Sequence, residues 1–340
     1  MWNEERLNDV LSTPPARMLD DLRSLEGDFT ILGAGGKIGP SLAIMLKKAL
    51  KMADMDRKVY AVDRFPDERV RNILDSNDVE TITCDLVQRE QVEKLPYTDN
   101  VFFLVGYSAS DENSVNYMWS ASTIASQNAC EHYKGASFVV MSSGTIYPLT
   151  EPLSGGSTEE VIPSPIGDYA TSTVAREHIF SHYASRGIIK AVLYRLSYAI
   201  NLRYGVLQDI ASHIMKEEPV SLAIPLFNCV WQGYVTEVII RSLSLLSSEE
   251  TLVLLNVTGP ETASVAEVAM LLGDYLNKPV SFKDEPLPKM YLNNAGYCHS
   301  RFGYPTVSID TLVRWQAEWI LAGGRSVGYS SHFDEHLDRD

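Results

Sequence analysis

Short apolar runs alternate along most of the chain with longer stretches whose apolar positions recur at helical spacing. "DFTIL", "KVYAV", "VETIT", "NVFFLV" and "ASFVVMSS" have the length and residue types of strands. Between them, Ile38, Leu42, Ile44, Met45 and Leu46 mark one helix, the polar stretch near "DERVRNILDSN" a second, and the segment from about Glu112 to His132 a third. Strands alternating with helices at this spacing predict βαβ units and a parallel sheet with helices on both faces. Crossovers in such folds are right-handed, and ligands sit beyond the carboxyl ends of the strands, so the loops after each apolar run are where function is expected.

Past Gly187, "IIKAVLYRLSYA" and "TLVLLNVTG" are further strand candidates. The segments between and after them are less periodic, as expected of a lobe threaded through the main domain. The division predicted is a helical extension over 1–27 broken at Pro14-Pro15, a main domain over 28–200, a lobe over 201–330 that returns strands to the sheet, and a tail over 331–340. Trp315 with Trp319, and the stripe Val268, Leu271, Leu272 and Tyr275, read as packed helix faces.

The chain is 340 residues long, enough for this arrangement, and its formal charge of −15 opposes attraction to phosphate backbones and anionic membrane surfaces. Neither nucleic acid nor membrane is an expected partner. "MWNEERLNDVL" carries acids where a secretory signal needs basic residues, and no apolar run approaches the ~20 residues of a bilayer span. Cys84, Cys130, Cys229 and Cys298 are scattered without metal-ligand spacing, which fits reduced thiols in a cytoplasm. His178 with His182, and His332 with His336, each lie four apart, but no third and fourth ligand accompanies either pair, so no metal is expected.

The first strand runs into Gly33-Ala34-Gly35-Gly36-Lys37-Ile38-Gly39. A diphosphate can approach a chain only where side chains are absent, and helix amides beginning near Gly36 would face its charge. Asp63 closes the second strand, where a carboxylate can accept from a ribose 2′-hydroxyl, which favours NAD; Arg64 and Lys37 could instead hold the 2′-phosphate of NADP. Asp85, in "CDL", is placed either to reach an adenine edge or to cap a helix.

The ordered set of Gly33-x-x-Gly36-x-x-Gly39, Asp63, "CDL", "VFFLVGYS", "SSGTIYP", "YATSTVARE" and "VLYRLSYAINLRYG" resembles the extended short-chain dehydrogenase/reductase family, in its NAD-dependent epimerase/dehydratase group. The resemblance spans about Asp28 to Asn201 and continues more loosely through "LLNVTGPETASVAEVAMLLGDYLNKPV" to "FGYPTVSIDTLVRWQAEWI". It implies a Rossmann-type doubly wound parallel sheet with a smaller, interleaved C-terminal α/β substrate lobe. It also implies a small-molecule substrate such as a sugar, sugar acid or polyol, and a homodimer paired through the helix that carries Tyr169. Leu86, the run Leu104-Val105-Gly106 and Leu196 would border the cofactor with the glycine loop, and Tyr107 and Tyr198 the substrate.

The resemblance assigns Ser143 to hydrogen-bond the reacting oxygen and Tyr169 to transfer its proton while hydride moves at the nicotinamide. Thr173 stands where the family's motif has a lysine. A phenol of pKa ~10 is ionised only about one part in a thousand at pH 7, a cost of ~4 kcal/mol, and a neighbouring cation can lower such a pKa by roughly 1–3 units. Thr173 has no charge to offer. Three readings stay open: another group, such as Arg176 or a water chain, supports Tyr169; Tyr169 only orients substrate; or the chain binds dinucleotide without turnover, as a sensor or scaffold. The substrate loop departs from the family as well, with Tyr198 in place of the usual Asn and Asn201 the nearest amide. Arg203 could meet a carboxylate or make a surface ion pair. Trp231 and Gln232 are pocket candidates, with a core role for the tryptophan as the alternative.

Overall fold

The computed structural model describes residues 1–106 and 112–327. Seven strands form one sheet: β1 (Phe29–Leu32), β2 (Val59–Asp63), β3 (Glu80–Thr83), β4 (Asn100–Phe103), β5 (Ser137–Ser143), β6 (Lys190–Leu196) and β7 (Leu252–Val257). Their order is β7-β6-β5-β4-β1-β2-β3, and every pairing is parallel. The order reverses between β1 and β4, which is where an open α/β sheet leaves a crevice beyond its carboxyl ends.

The central strands β1 and β4 are buried along their whole length because both faces are covered. On one face, Ile31, Phe102 and Val139 pack with Leu42 and Leu46 of the helix α1 (Gly39–Met52) and with Val235 and Ile239 from 232–242. On the other, Leu32, Phe103, Val140 and Leu193 meet Ala125 and Ala129 of α2 (Glu112–His132) and Phe180 and Ala184 of α3 (Gly167–Ser185). Successive residues of a strand feed opposite cores, as their alternating side chains require.

A third cluster belongs to the C-terminal lobe. Leu207, Ile210, Leu272, Leu312 and Trp319 are buried there, together with Trp2, Leu7 and Leu11 from the N-terminal helix Glu4–Ser12 and the residues before it. The N-terminal segment is further tied down by Arg17 donating to Glu237 (2.7 and 2.9 Å) and by Arg241 donating to Asp21 (2.5 Å). Pro14 and Pro15 separate Glu4–Ser12 from the short helical turns over Ala16–Arg23.

One predicted face is corrected. Along Val265–Leu276 the buried positions are Val265, Val268, Ala269, Leu272, Gly273 and Leu276, whereas Leu271 and Tyr275 are 40% and 48% exposed. The inward stripe runs through the smaller Ala269, so it is rotated away from the row that size alone picks out. The four cysteines are buried and unpaired. Among the described residues, no helix is long and apolar enough to cross a membrane. Tyr107, His332 and His336 lie outside the described residues.

Candidate active site

The chain leaves β1 at Gly33, whose φ of +85° is open to glycine and strained for other residues. A Cβ there would stand 3.0 Å from the backbone of Leu104 and Val105, so glycine also lets the loops after β1 and β4 touch. At Gly39 a Cβ would fall 2.2 Å from the carbonyl oxygen of Ala34, which closes the loop onto the start of α1. Gly36 is different. It is exposed, its φ is not positive, and a Cβ on it would meet nothing nearer than the Gly33 carbonyl oxygen at 3.5 Å. Nothing in the protein's own packing calls for glycine at that position, whereas close approach of a diphosphate to the start of α1 does.

Gly36→Ala is therefore expected to leave the stability measured by urea denaturation within about 0.5 kcal/mol of wild type while weakening dinucleotide binding at least ~10-fold. Calorimetric titration with NAD reads the second effect. Unchanged affinity would remove the loop from the binding site.

The cleft beyond the loop is walled by Gly33 and Gly36, by Asp63 and Arg64 after β2, by Leu86 after β3, and by Leu104, Val105 and Gly106 after β4. These eight predicted cofactor positions come together at the reversal in strand order. The Asp63 carboxylate is aimed by two backbone donors, Gly35 N–H (3.0 Å) and Phe65 N–H (3.1 Å), which still leaves it able to accept from a ribose hydroxyl. The Arg64 guanidinium lies 4.6 Å from the centre of the Tyr117 ring, and the Tyr117 hydroxyl donates to Asp85 (3.1 Å). Burial, together with the Asp85 carboxylate, pushes the Tyr117 phenol up to about 12 despite Arg64, so it stays a neutral donor.

The other predicted cofactor positions are placed differently. Asp85 accepts from Val87 N–H (3.1 Å) and from Tyr117, so it shapes the turn and holds a wall residue without being part of the wall. Ile38 and Leu196 pack against the core, and the Lys37 ammonium sits 5.1 Å over the Tyr204 ring. Cys84, Val87, Tyr117, Ala121 and Ala125 line the cleft and were not predicted. For the last three a signal exists: residues four apart on one helix present a single stripe, here two alanines and a tyrosine. Burial pushes the Cys84 thiol up to about 11, so it serves as apolar wall and not as a nucleophile.

Ser143 ends β5. Its Oγ accepts from Thr145 N–H (3.2 Å) and shares a hydrogen bond with Thr145 Oγ1 (2.9 Å), which caps the turn Gly144–Ile146. The helix α3, which carries Tyr169 in its first turn, packs on Gly144–Ile146. The Tyr169 side chain is 43% exposed. Thr173, one turn on, is buried, and its hydroxyl donates to the Tyr169 backbone carbonyl (2.8 Å), as does that of Ser172 (3.0 Å). At the position of the family's lysine, the Thr173 hydroxyl is thus engaged by the helix backbone and not by the phenol.

Around Glu177 lies a buried polar network. Glu177 takes a two-pronged contact from Arg195 (2.9 and 2.8 Å) and a hydrogen bond from Ser142 Oγ (2.6 Å). Arg195 also donates to Tyr147 Oη (2.7 Å), which donates in turn to Asn256 Oδ1 (2.8 Å). Burial opposes the charge on Arg195, but Glu177 and Tyr147 outweigh it and hold its pKa above the ordinary guanidinium value. The network fixes β5, β6, β7 and α3 to one another immediately below Ser143.

The predicted substrate positions scatter. Arg203 donates to Glu4 (2.8 Å) and Asn8 (2.5 Å) of the N-terminal helix. Trp231 stacks edge-on against Trp315, which does the same with Trp2. Gln232 donates to Ser41 Oγ (2.9 Å) and accepts from Asn201 (3.3 Å) and from Tyr204, joining the lobe to α1. None of these bonds leads to Ser143 or Tyr169: Asn201 and Gln232 join the lobe to α1, Arg203 is ion-paired with Glu4, and Trp231 packs among buried lobe residues beside Trp315. Tyr198 turns the chain after β6 with a φ of +36° and packs on the lobe core. Two unpredicted residues do stand beside Ser143. A Cβ on Gly144 would fall 2.0 Å from Ser197 Oγ, and that hydroxyl accepts from Asn293 of the lobe (2.5 Å), whose buried Oδ1 has no partner. No sequence signal marks Asn293, which is 96 residues from Ser197.

Residues 29–220 match the model of the NAD dependent epimerase/dehydratase family. Compared by sequence with curated proteins, the chain matches none. Its fold is similar to that of the UDP-glucuronic acid 4-epimerase from Bacillus cereus in complex with NAD, with a TM-score of 0.70 at 16% identity over 87% of this chain and 99% of the other. The UDP-glucose 4-epimerase from Thermotoga maritima with UDP-glucose gives 0.67 at 18% identity, over 87% and 99%. The UDP-glucose 4-epimerase of Thermus thermophilus, a complex with NAD, gives 0.67 at 21% identity, over 86% and 98%.

Proposed function

The chain belongs to the NAD-dependent epimerase/dehydratase family, and from that premise we propose that it epimerises or dehydrates a sugar or sugar derivative by transient oxidation of one carbinol carbon. The observation that supports this reading is the packing of α3, which carries Tyr169, on the turn that follows Ser143, in a fold whose switch-point cleft is walled by Gly36 and Asp63. Bound NAD supplies a hydride acceptor and donor. The protein's own contribution is to hold the diphosphate at the start of α1, the ribose at Asp63, and the substrate oxygen between the Ser143 hydroxyl and the Tyr169 phenol, which takes and returns its proton.

The similar 4-epimerases are described with UDP-glucose or with NAD, which supports a sugar as the substrate class. Ser197 and Asn293 are the groups beside Ser143 suited to a substrate hydroxyl. Action on carbohydrate in the cytoplasm, by a homodimer paired through α2 and α3, belongs to the same reading. α2 packs directly on α3, and Ile124 is left exposed on α2.

The test is to denature the purified protein, identify any released dinucleotide, and then follow a panel of sugars, sugar nucleotides and hydroxy acids by proton NMR. Released NAD or NADH together with a new epimer or dehydrated product is the expected result. Failure to bind either NAD or NADP at millimolar concentration would overturn the reading. Bound dinucleotide with no conversion of any compound would favour a sensor.

A further inference from the structure

Arg176 is 4% exposed, yet among the described residues no carboxylate is bonded to it. Its guanidinium donates to the Met141 carbonyl oxygen (2.8 Å) and to Ser122 Oγ (3.0 Å), lies 5.8 Å from the centre of the Phe103 ring, and leaves its Nε without a partner. A buried cation held only by neutral groups is costly, and ordinary cores avoid it. The carboxylate next to it in sequence, Glu177, is already taken by Arg195 and Ser142.

The position of this charge is informative. Tyr169, Thr173 and Arg176 share one face of α3, and long side chains on a helix lean over the turn that precedes them, here toward Thr173 and Tyr169. The three neighbours of the guanidinium each adjoin a site residue: Phe103 precedes Leu104 and Ser122 follows Ala121, both of the cleft wall, and Met141 lies two residues before Ser143. The guanidinium is therefore held by residues that adjoin, along the chain, the cleft wall and Ser143.

Resting on the functional reading above, we propose that Arg176 is a positioning residue that supplies the cation of this site. It favours the Tyr169 phenolate and replaces the electrostatic contribution of the lysine absent at position 173. Among the described residues, the one carboxylate whose charge acts on Arg176 is Glu177, which is bonded to Arg195 and Ser142. β4 and β5 contribute Phe103 and a backbone carbonyl, and α2 contributes a serine hydroxyl. Asp168, in the first turn of α3, accepts from Trp119 Nε1 of α2 (3.0 Å). Among the described residues, the groups whose charge acts on Arg176 are Tyr169 first and Glu177 second; both oppose the lowering that burial imposes on the guanidinium.

The sign follows. Removing a cation near a phenol disfavours the phenolate, so the phenol must titrate at higher pH and the alkaline rise in substrate oxidation must move with it. The test compares wild type with Arg176→Met, Arg176→Gln and Arg176→Lys in the NAD-loaded protein. Tyr169 ionisation is read as phenolate absorbance after subtraction of the matching Tyr169→Phe background, which needs no turnover. Arg176→Met is expected to raise the midpoint of that titration, and of the kcat/KM profile, by about one pH unit. Its urea midpoint should be equal to or above that of wild type, because an uncompensated buried charge has gone. Arg176→Lys should restore the wild-type midpoint. Should the methionine variant not fold, Arg176→Gln keeps hydrogen-bonding capacity without charge and carries the same expectation.

Superimposable titrations of Tyr169 in wild type and either neutral variant would overturn the proposal, as would a loss of stability with an unmoved profile. A protein without turnover whose Tyr169 titration still shifts would instead count against the enzymatic reading and leave the electrostatic one standing.

Discussion

Tyr169→Phe is expected to lower kcat by ~10²–10⁴-fold while changing the dissociation constant for NAD by less than about twofold. The residue lies in the first turn of α3 with its side chain 43% exposed, and none of the cleft wall at Asp63, Leu86 or Tyr117 depends on it. Deleting one hydroxyl there leaves the helix backbone bonds from Ser172 and Thr173 intact, because both go to the Tyr169 carbonyl and not to the phenol. Turnover and cofactor binding should therefore separate. Steady-state rates beside calorimetric titration with NAD decide the matter, and retention of more than about a third of the wild-type rate would remove this tyrosine from the chemistry.

Glu177→Ala should be the most destabilising single change near the site, costing ~3–5 kcal/mol, because it strands the Arg195 guanidinium below the carboxyl ends of the strands. The remaining acceptor, Tyr147 Oη, is a neutral phenol that cannot offset a buried charge. Ser142 loses its acceptor as well, and it immediately precedes Ser143, so activity should fall along with stability. Combining Glu177→Leu with Arg195→Met removes both charges and should recover most of the lost stability, since well-packed apolar residues often match a buried ion pair. Urea denaturation of wild type, the single variant and the double variant reads this directly. A single variant within about 1 kcal/mol of wild type would show that the pair is not buried as described.

The bonding of these residues shows how far each level of structure was readable. The seven sheet strands fall on the seven apolar runs, and Glu112–His132 has the predicted bounds, because strand and helix periodicities are local properties that tertiary contacts here reinforce. The cleft was legible for a related reason. Gly33, Gly36 and Asp63 sit at strand ends, and a parallel sheet with this strand order brings strand ends together. The helix side of the same cleft was less so: Tyr117, Ala121 and Ala125 form one stripe by spacing, but which stripe faces the cleft depends on the rotation of α2 about its axis.

The bonding of the candidate substrate positions was not legible in the sequence, because it depends on segments distant along the chain. Arg203 and Trp231 lie close to the substrate loop along the chain, but the N-terminal segment supplies Glu4, Asn8 and Trp2 in that region and draws the arginine and the tryptophan into its seam, the latter through Trp315. The sequence by itself determined the alternation of strands and helices, the glycine loop and the absence of a lysine after Tyr169. Each of these is a statement about residues within a few turns of one another. Only the tertiary structure decided which charges are paired. Glu177 meets Arg195 from another element, Arg176 is left among a carbonyl, a hydroxyl and a ring, and Asn293 comes from 96 residues along the chain to meet Ser197. Partner choice for a buried polar group depends on which distant surface reaches it first with matching geometry, and that is a property of packing that local pattern does not carry.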